Sequence, residues 1–322
     1  MMDRMYPAYL EAYQNQNLEK AAQRAKAMLE ECVICPRKCA VDRLNDKKGF
    51  CKTGLKAKVS SFMPHHGEEP PISGKRGSGT IFFSHCNMSC AYCQNYEFSQ
   101  LGEGGEVETE ELADFMLELQ GMGCHNINLV TPTHVLPQIL EALTIAIPKG
   151  LKIPLVYNTS GYELPQMLKL LDGIVDIYLP DMRYADSEFS IKYSAAPEYP
   201  EHNRMCVKEM YRQVGIADID NGILKNGLVI RHLVLPNGAS GTEKIMRFIA
   251  EELSKETYVS LMSQYLPLYR AAEFRELSRP LTEEEYDAAV RIMHIYGLYN
   301  GWTQNLSGLA RFAGTNIKPS LR

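Results

Sequence analysis

The chain has 322 residues, 45% hydrophobic and 23% charged, which is an ordinary composition for a soluble globular protein. Lys+Arg 34 against Asp+Glu 39 gives a formal charge of -5, so no global field attracts nucleic acid or an anionic membrane. The opening MMDRMYPAYLEAYQ lacks the apolar run of a signal peptide, and no stretch approaches the ~18 uncharged apolar residues that span a bilayer. We expect a soluble cytoplasmic protein of two average domains or one large α/β domain.

Residues 1 to about 31 read as helical, with Ala, Leu, Glu, Lys and Gln uninterrupted after Pro7. A cysteine-rich stretch, Cys32 to Cys51, follows, and residues 62–79 (FMPHHGEEPPISGKRGSG) read as loop because prolines and glycines crowd them. From residue 80 short β-branched runs alternate with longer amphipathic segments. Strands are expected at Thr80–Ser84, Asn126–Thr131, Pro154–Asn158, Ile174–Leu179, Leu228–Leu235 and Tyr258–Met262. Between the first two, Leu112, Phe115, Met116 and Leu119 form the stripe of a buried helix face. Further helices are expected at 135–147, 163–172, 187–214 and 242–254, and a last one opens at Thr282 with Glu285 completing a capping box. Six strand–helix units in series predict a parallel sheet, as an open doubly wound sheet or as a barrel or part of one. In either, chemistry belongs at the carboxyl ends of the strands.

Seven of the nine cysteines lie between Cys32 and Cys93. In a long chain without a secretory signal such clustering points to metal rather than disulfides. Cys86, Cys90 and Cys93 follow the first expected strand in TIFFSHCNMSCAYCQN, spaced C-x3-C-x2-C. Three thiolates on one short loop suit an iron–sulfur cluster with one iron left open, whereas structural zinc prefers paired knuckles. Zinc with His85 or a distant residue as fourth ligand is the plain alternative.

This triplet, with Tyr92 just before its third cysteine, resembles the radical S-adenosylmethionine (SAM) superfamily. The segments GSGTIFFSHCNMSCAYCQNYEFSQ, NLVTPTH, IPLVYNTSGY, DIYLPDMRY, VIRHLVLPN and LMSQYLP resemble uncharacterised iron–sulfur proteins grouped with pyruvate formate-lyase-activating enzymes, over about residues 30–305. The resemblance implies a partial (β/α)6 TIM-like barrel, a [4Fe-4S] cluster on Cys86, Cys90 and Cys93, and SAM chelating the open iron. It further implies reductive cleavage of SAM to a 5′-deoxyadenosyl radical that abstracts a hydrogen atom. A flavodoxin or ferredoxin is the expected reductant, and a glycine of a partner enzyme is the leading hydrogen donor. The expected organisation is an N-terminal helical and metal-binding segment over 1–60, a radical SAM barrel over 61–305 and a tail over 306–322.

By that resemblance Tyr92 lies against the adenine. Asn158, Thr159 and Ser160, after the third strand, offer short polar groups to a ribose or amino-acid head, or else form a turn capping the next helix. Asp181 and Arg183 resemble the Asp-x-Lys element of glycyl-radical-activating enzymes, where the Asp helps hold a monovalent cation; Asn158 stands where that cation site has an Asp. Arg231 interrupts an apolar strand, where a buried charge needs a partner, and by resemblance it faces the SAM pocket. Asp181, Arg183 and Arg231 are the catalytic candidates. His232, on the opposite face by strand alternation, is not one. The superfamily's Gly-Gly-Glu-like motif is missing after the second strand, and Thr131, Thr133 or His134 is expected in its role. In the loop His65-His66-Gly67-Glu68-Glu69-Pro70 a solvated segment is the slightly preferred reading over a metal or substrate site. Gln264 and Tyr265 are weaker candidates on the substrate side.

Cys32, Cys35, Cys39 and Cys51 form a second four-thiolate set, suited to either a closed zinc site or an auxiliary iron–sulfur cluster. Two other functions compete: a radical SAM enzyme acting on a peptide or small molecule, and a non-catalytic iron–sulfur or zinc electron-transfer protein. The missing basic excess argues against nucleic acid.

Overall fold

The computed structural model describes residues 5–304 and Leu306; the tail expected over 306–322 otherwise lies outside them. Among the described residues ten strands make one sheet: β1 (Ala57–His65), β2 (Ser78–Phe83), β3 (Gly105–Val107), β4 (Ile127–Val130), β5 (Leu155–Thr159), β6 (Ile177–Pro180), β7 (Asp218–Asp220), β8 (Ile223–Leu233), β9 (Tyr258–Met262) and β10 (Gly301–Thr303). Their order is β10-β9-β8-β6-β5-β4-β2-β1-β3, with β7 beside β8. Pairing from β2 through β4, β5, β6, β8 and β9 to β10 is parallel, whereas β1 runs antiparallel to β2 and to β3. The six expected strands are thus β2, β4, β5, β6, β8 and β9, in the mixed α/β fold of a partial TIM-like barrel.

Strand alternation sorts the side chains into two faces. Leu129, Tyr157, Tyr178 and Ile230 join the outer core with the helices, whereas Val156, Ile177, Leu179 and Val229 pack together with Ile72 as an inner floor. Two residues further along three of those inner columns stand Asn158, Asp181 and Arg231. The apolar lower layer therefore carries a polar upper layer at the carboxyl ends of the strands, where the site lies.

Several elements differ from expectation. The segment expected as one helix to residue 31 is two, Ala8–Gln14 and Asn17–Ala27. Between them Gln16 takes a left-handed φ of 63, and the Asn15 side chain accepts from Asn17 N–H, so a local polar turn wins over helix continuation. The expected helix 187–214 is broken into Ser187–Ser194 and Tyr199–Val214, because Pro197 lies between left-handed Ala195 and Glu198. Within 163–172 only Pro165–Leu168 is α-helical. Residues 62–65, expected as loop, complete β1, and that strand crosses the boundary expected at residue 60. The N-terminal helices also share the main core: Tyr9, Leu18 and Leu29 are buried with Leu140 and Leu143 of the helix Leu136–Ala146. The capping box at Thr282 is formed, with Glu285 N–H donating to Thr282 Oγ1.

Candidate functional site at the strand ends

Cys86, Cys90 and Cys93 lie on the loop that leaves β2. The turn is tight, since His85 takes a φ of 69. Hydroxyls and backbone attend the sulfurs. Ser194 Oγ donates to Cys90 Sγ at 3.0 Å, Ser99 Oγ is 3.0 Å from Cys93 Sγ, and Met88 N–H donates to Cys86 Sγ at 3.3 Å. Burial raises the Cys86 thiol and pushes Cys93 up to about 11, so iron binding there must displace protons. Ser194 sits in a chain of hydroxyls: Tyr92 Oη donates to Tyr184 Oη at 2.7 Å, which is 2.6 Å from Ser194 Oγ. Tyr92 is buried, its ring edged by Tyr184 and Tyr265.

The polar layer is built around Arg231. Its Nε donates to Asp181 Oδ1 at 2.9 Å, its Nη2 to Asn158 Oδ1 at 2.5 Å, and its Nη1 lies 3.6 Å from Glu68 Oε2. Arg183 Nη2 takes the other Asp181 oxygen at 2.5 Å, and its Nη1 is 4.0 Å from Cys90 Sγ. Arg183 thus ties the strand-end charges to the cysteine loop. Burial works against both guanidinium charges, yet Asp181 on each, with Glu69 and Glu68 on Arg231, holds them protonated. His232 lies on the other face, between Met182 O and Thr242 Oγ1.

The loop 65–70, read as solvated, is instead folded into this layer. Gly67 and His66 remain exposed, but Glu69 is buried and the Glu68 side chain is only 8% exposed. The field of Arg231 draws both carboxyls inward, a tertiary effect invisible to local composition. Burial pushes Glu68 up, but His65 and Arg231 outweigh it and hold that carboxyl below its usual range; burial raises its neighbour Glu69. Two adjacent carboxyls pushed apart in this way can divide acid and base roles.

Thr133 and Thr159 converge, but on Glu163, which sequence reasoning missed. Glu163 Oε1 accepts from Thr159 at 2.5 Å, Thr133 at 2.6 Å and Tyr157 at 3.3 Å. Burial raises this carboxyl to about 7 even though the three hydroxyls pull it down. Only its place in the loop four residues beyond Thr159, two before Pro165, hinted at this contact. Thr131 ends β4 with a left-handed φ of 60, its N–H bonded to Asn158 O. His134 is the correction here. It does not reach the polar layer: its Nε2 is 2.8 Å from Ser84 O, and it lines the pocket of the N-terminal cysteines. The run Thr133–Val135 turns as a 3-10 helix after Pro132, which swings that side chain behind β2. Tyr265 is likewise committed, donating to Leu277 O at 2.6 Å.

The strand ends turn tightly to bring these groups together. At Gly161, with φ of 72, an added Cβ would lie 2.1 Å from Asn203 Nδ2 and 2.6 Å from Asp181 O. Tyr199 Oη, 2.8 Å from Ser160 O and 3.0 Å from Asp181 O, pins the same two strand ends. The residues fit a cluster with SAM's amino and carboxylate groups beside it. Buried polar atoms from separate strand ends (Ser160 Oγ, Arg183 Nε, Ser263 Oγ) have no hydrogen-bond partner within the described protein. Groups of this kind are costly unless a polar ligand satisfies them.

The Radical SAM superfamily profile matches residues 80–223. An uncharacterized protein of Methanocaldococcus jannaschii, MJ0674, is 30% identical over 293 residues, spanning 87% of this chain and 79% of the relative. Among solved structures, a radical SAM methyltransferase from Sphaerobacter thermophilus aligns at TM-score 0.49 and 14% identity, over 70% of this chain and 65% of that one. Methylornithine synthase (PylB) aligns at TM-score 0.46 and 15% identity, over 87% and 69%. On the profile match and the relative that spans most of both chains, supported by three cysteines on the first parallel strand's exit loop, the chain belongs to the radical SAM superfamily.

Proposed function

We propose that the chain binds a [4Fe-4S] cluster through Cys86, Cys90 and Cys93 and holds SAM between that cluster and the Asp181–Arg183–Arg231 layer, to abstract a hydrogen atom from a glycine of a partner protein. Superfamily membership already implies reductive cleavage of SAM. When bound, the reduced cluster and SAM supply methionine and a 5′-deoxyadenosyl radical; the protein's part is binding, orientation and exclusion of water.

One observation carries the reading: Arg183 bridges Asp181 and the Cys90 sulfur, with its Nε left unpartnered and buried. A guanidinium so placed suits a carboxylate such as that of SAM. Arg231 bridges Asn158 and Asp181, so its guanidinium supplies positive charge between them. Ser160 and Ser263 offer hydrogen bonds to the rest of the SAM head group. The Asp181-x-Arg183 element favours the glycine donor over a peptide or small molecule, and a one-electron carrier of the flavodoxin or ferredoxin class supplies the reducing equivalent.

Anaerobic reconstitution followed by dithionite and SAM is expected to yield 5′-deoxyadenosine that Cys90→Ala abolishes. Neither turnover nor SAM binding in an iron-loaded protein would sink the reading and favour an electron-transfer role. The glycine assignment has its own test. Proteins recovered with the chain from cells fed deuterated glycine should pass deuterium into 5′-deoxyadenosine, and unlabelled product would remove the glycine donor alone.

A further inference from the structure

The four N-terminal cysteines line one small pocket, together with Arg37, Arg43 and His134. Cys32, Cys35 and Cys51 are buried and Cys39 half-buried. Their spacing, three close cysteines and a remote fourth, is that of iron–sulfur loops more than of the two matched knuckles of zinc. Among the described residues no three His, Cys, Asp or Glu side chains converge as the ligands of one ion do.

The pocket's other walls call for negative charge. Arg43 is fully buried, and its guanidinium pairs with no carboxylate among the described ion pairs. It donates to Gly54 O at 3.1 Å, reaches Cys32 Sγ at 3.9 Å and leaves Nη2 without a partner. A buried cation in that state needs negative charge nearby. With its Nε2 at Ser84 O, His134 keeps a buried Nδ1 that also lacks a partner. Gly49 permits the close approach of the chain leading to Cys51, since a Cβ there would lie 2.8 Å from Cys39 Sγ.

We propose that Cys32, Cys35, Cys39 and Cys51 hold a second [4Fe-4S] cluster, with Arg43 as its buried counter-charge. The site adjoins the first one. Arg37, between Cys35 and Cys39, donates from Nε to Asn87 O at 2.9 Å, the residue after Cys86, and its guanidinium lies 3.6 Å over the Phe50 ring. No ligand is shared with Cys86, Cys90 and Cys93, so this cluster stands or falls apart from the SAM reading.

The test is anaerobic reconstitution of the full chain with ⁵⁷Fe and sulfide, with iron, sulfide and zinc counted per chain and the iron read by Mössbauer spectroscopy. Wild type should carry about eight irons, and Cys86→Ala/Cys90→Ala/Cys93→Ala about four, retained with [4Fe-4S] parameters. Cys32→Ser/Cys35→Ser should retain about four, bound by the other triplet. The triple variant leaves every N-terminal ligand in place, so it decides the matter even where the N-terminal variant fails to fold. About one zinc and no iron in the triple variant, or about four irons in wild type, would overturn the second cluster.

Discussion

At the scale of single residues, Glu163 shows how burial sets chemistry. Its carboxyl accepts three hydroxyls and still titrates near 7, because the desolvation cost of its charge exceeds what those bonds return. The native state therefore keeps a proton that the unfolded chain has already released. Stability from this group is complete below about pH 4.5, declines as pH rises through about 7, and is level above. Between those limits wild type should lose about 3 kcal/mol more than Glu163→Gln, whose amide oxygen keeps the acceptor without titrating. Thermal midpoints of both proteins at the two pH values check it, and equal pH dependence would refute it. The charged ends of β6 and β8 were legible as Asp181, Arg183 and Arg231, because a charge in an apolar strand is conspicuous. Glu163 was not, since its nearness to Thr159 does not reveal that Thr133, thirty residues back along the chain, will meet it too.

At the scale of elements, the strand-to-helix turns hold the site in register. Gly161 takes a left-handed φ of 72 between Ser160 and the Asp181 carbonyl, and no side chain fits there. Gly161→Ala should therefore cost more than ~1 kcal/mol, lowering the thermal midpoint by about 2 °C or more. An unchanged midpoint would show that the turn relaxes. Periodicity located six of the seven parallel strands, which are largely apolar on both faces, and missed the short, half-exposed β10. It failed on β1, where prolines and glycines after Phe62 suggested loop but antiparallel pairing to β2 supplies the missing hydrogen bonds. That failure concealed Glu68 and Glu69, which β1 delivers to Arg231.

At the scale of the whole molecule, the N-terminal segment is part of the barrel's outer core rather than a separate unit. Tyr9 donates to Ile153 O at 2.8 Å, and Ala8 N–H donates to Asp176 Oδ1 at 2.8 Å. Removing residues 1–31 would expose the outer face that Leu18, Ala22, Ala25 and Leu29 cover. A chain beginning at Cys32 is expected to lose cooperative thermal unfolding and become protease-sensitive, monitored by far-UV circular dichroism and limited digestion. Retained cooperativity would mark the segment as dispensable. No helix of the described residues is long and apolar enough to cross a membrane.

Local chemistry by itself determined the series of strands and helices, the cysteine loop after the first parallel strand, and the placement of Asp181 and Arg231 at strand ends, because periodicity and ligand spacing are properties of neighbouring residues. Tertiary structure alone decided that His134 faces the N-terminal cysteines, that Glu68 and Glu69 turn inward, and that Glu163 gathers Thr133 and Thr159. Those outcomes depend on burial and on fields from residues far along the chain, and no local pattern encodes either.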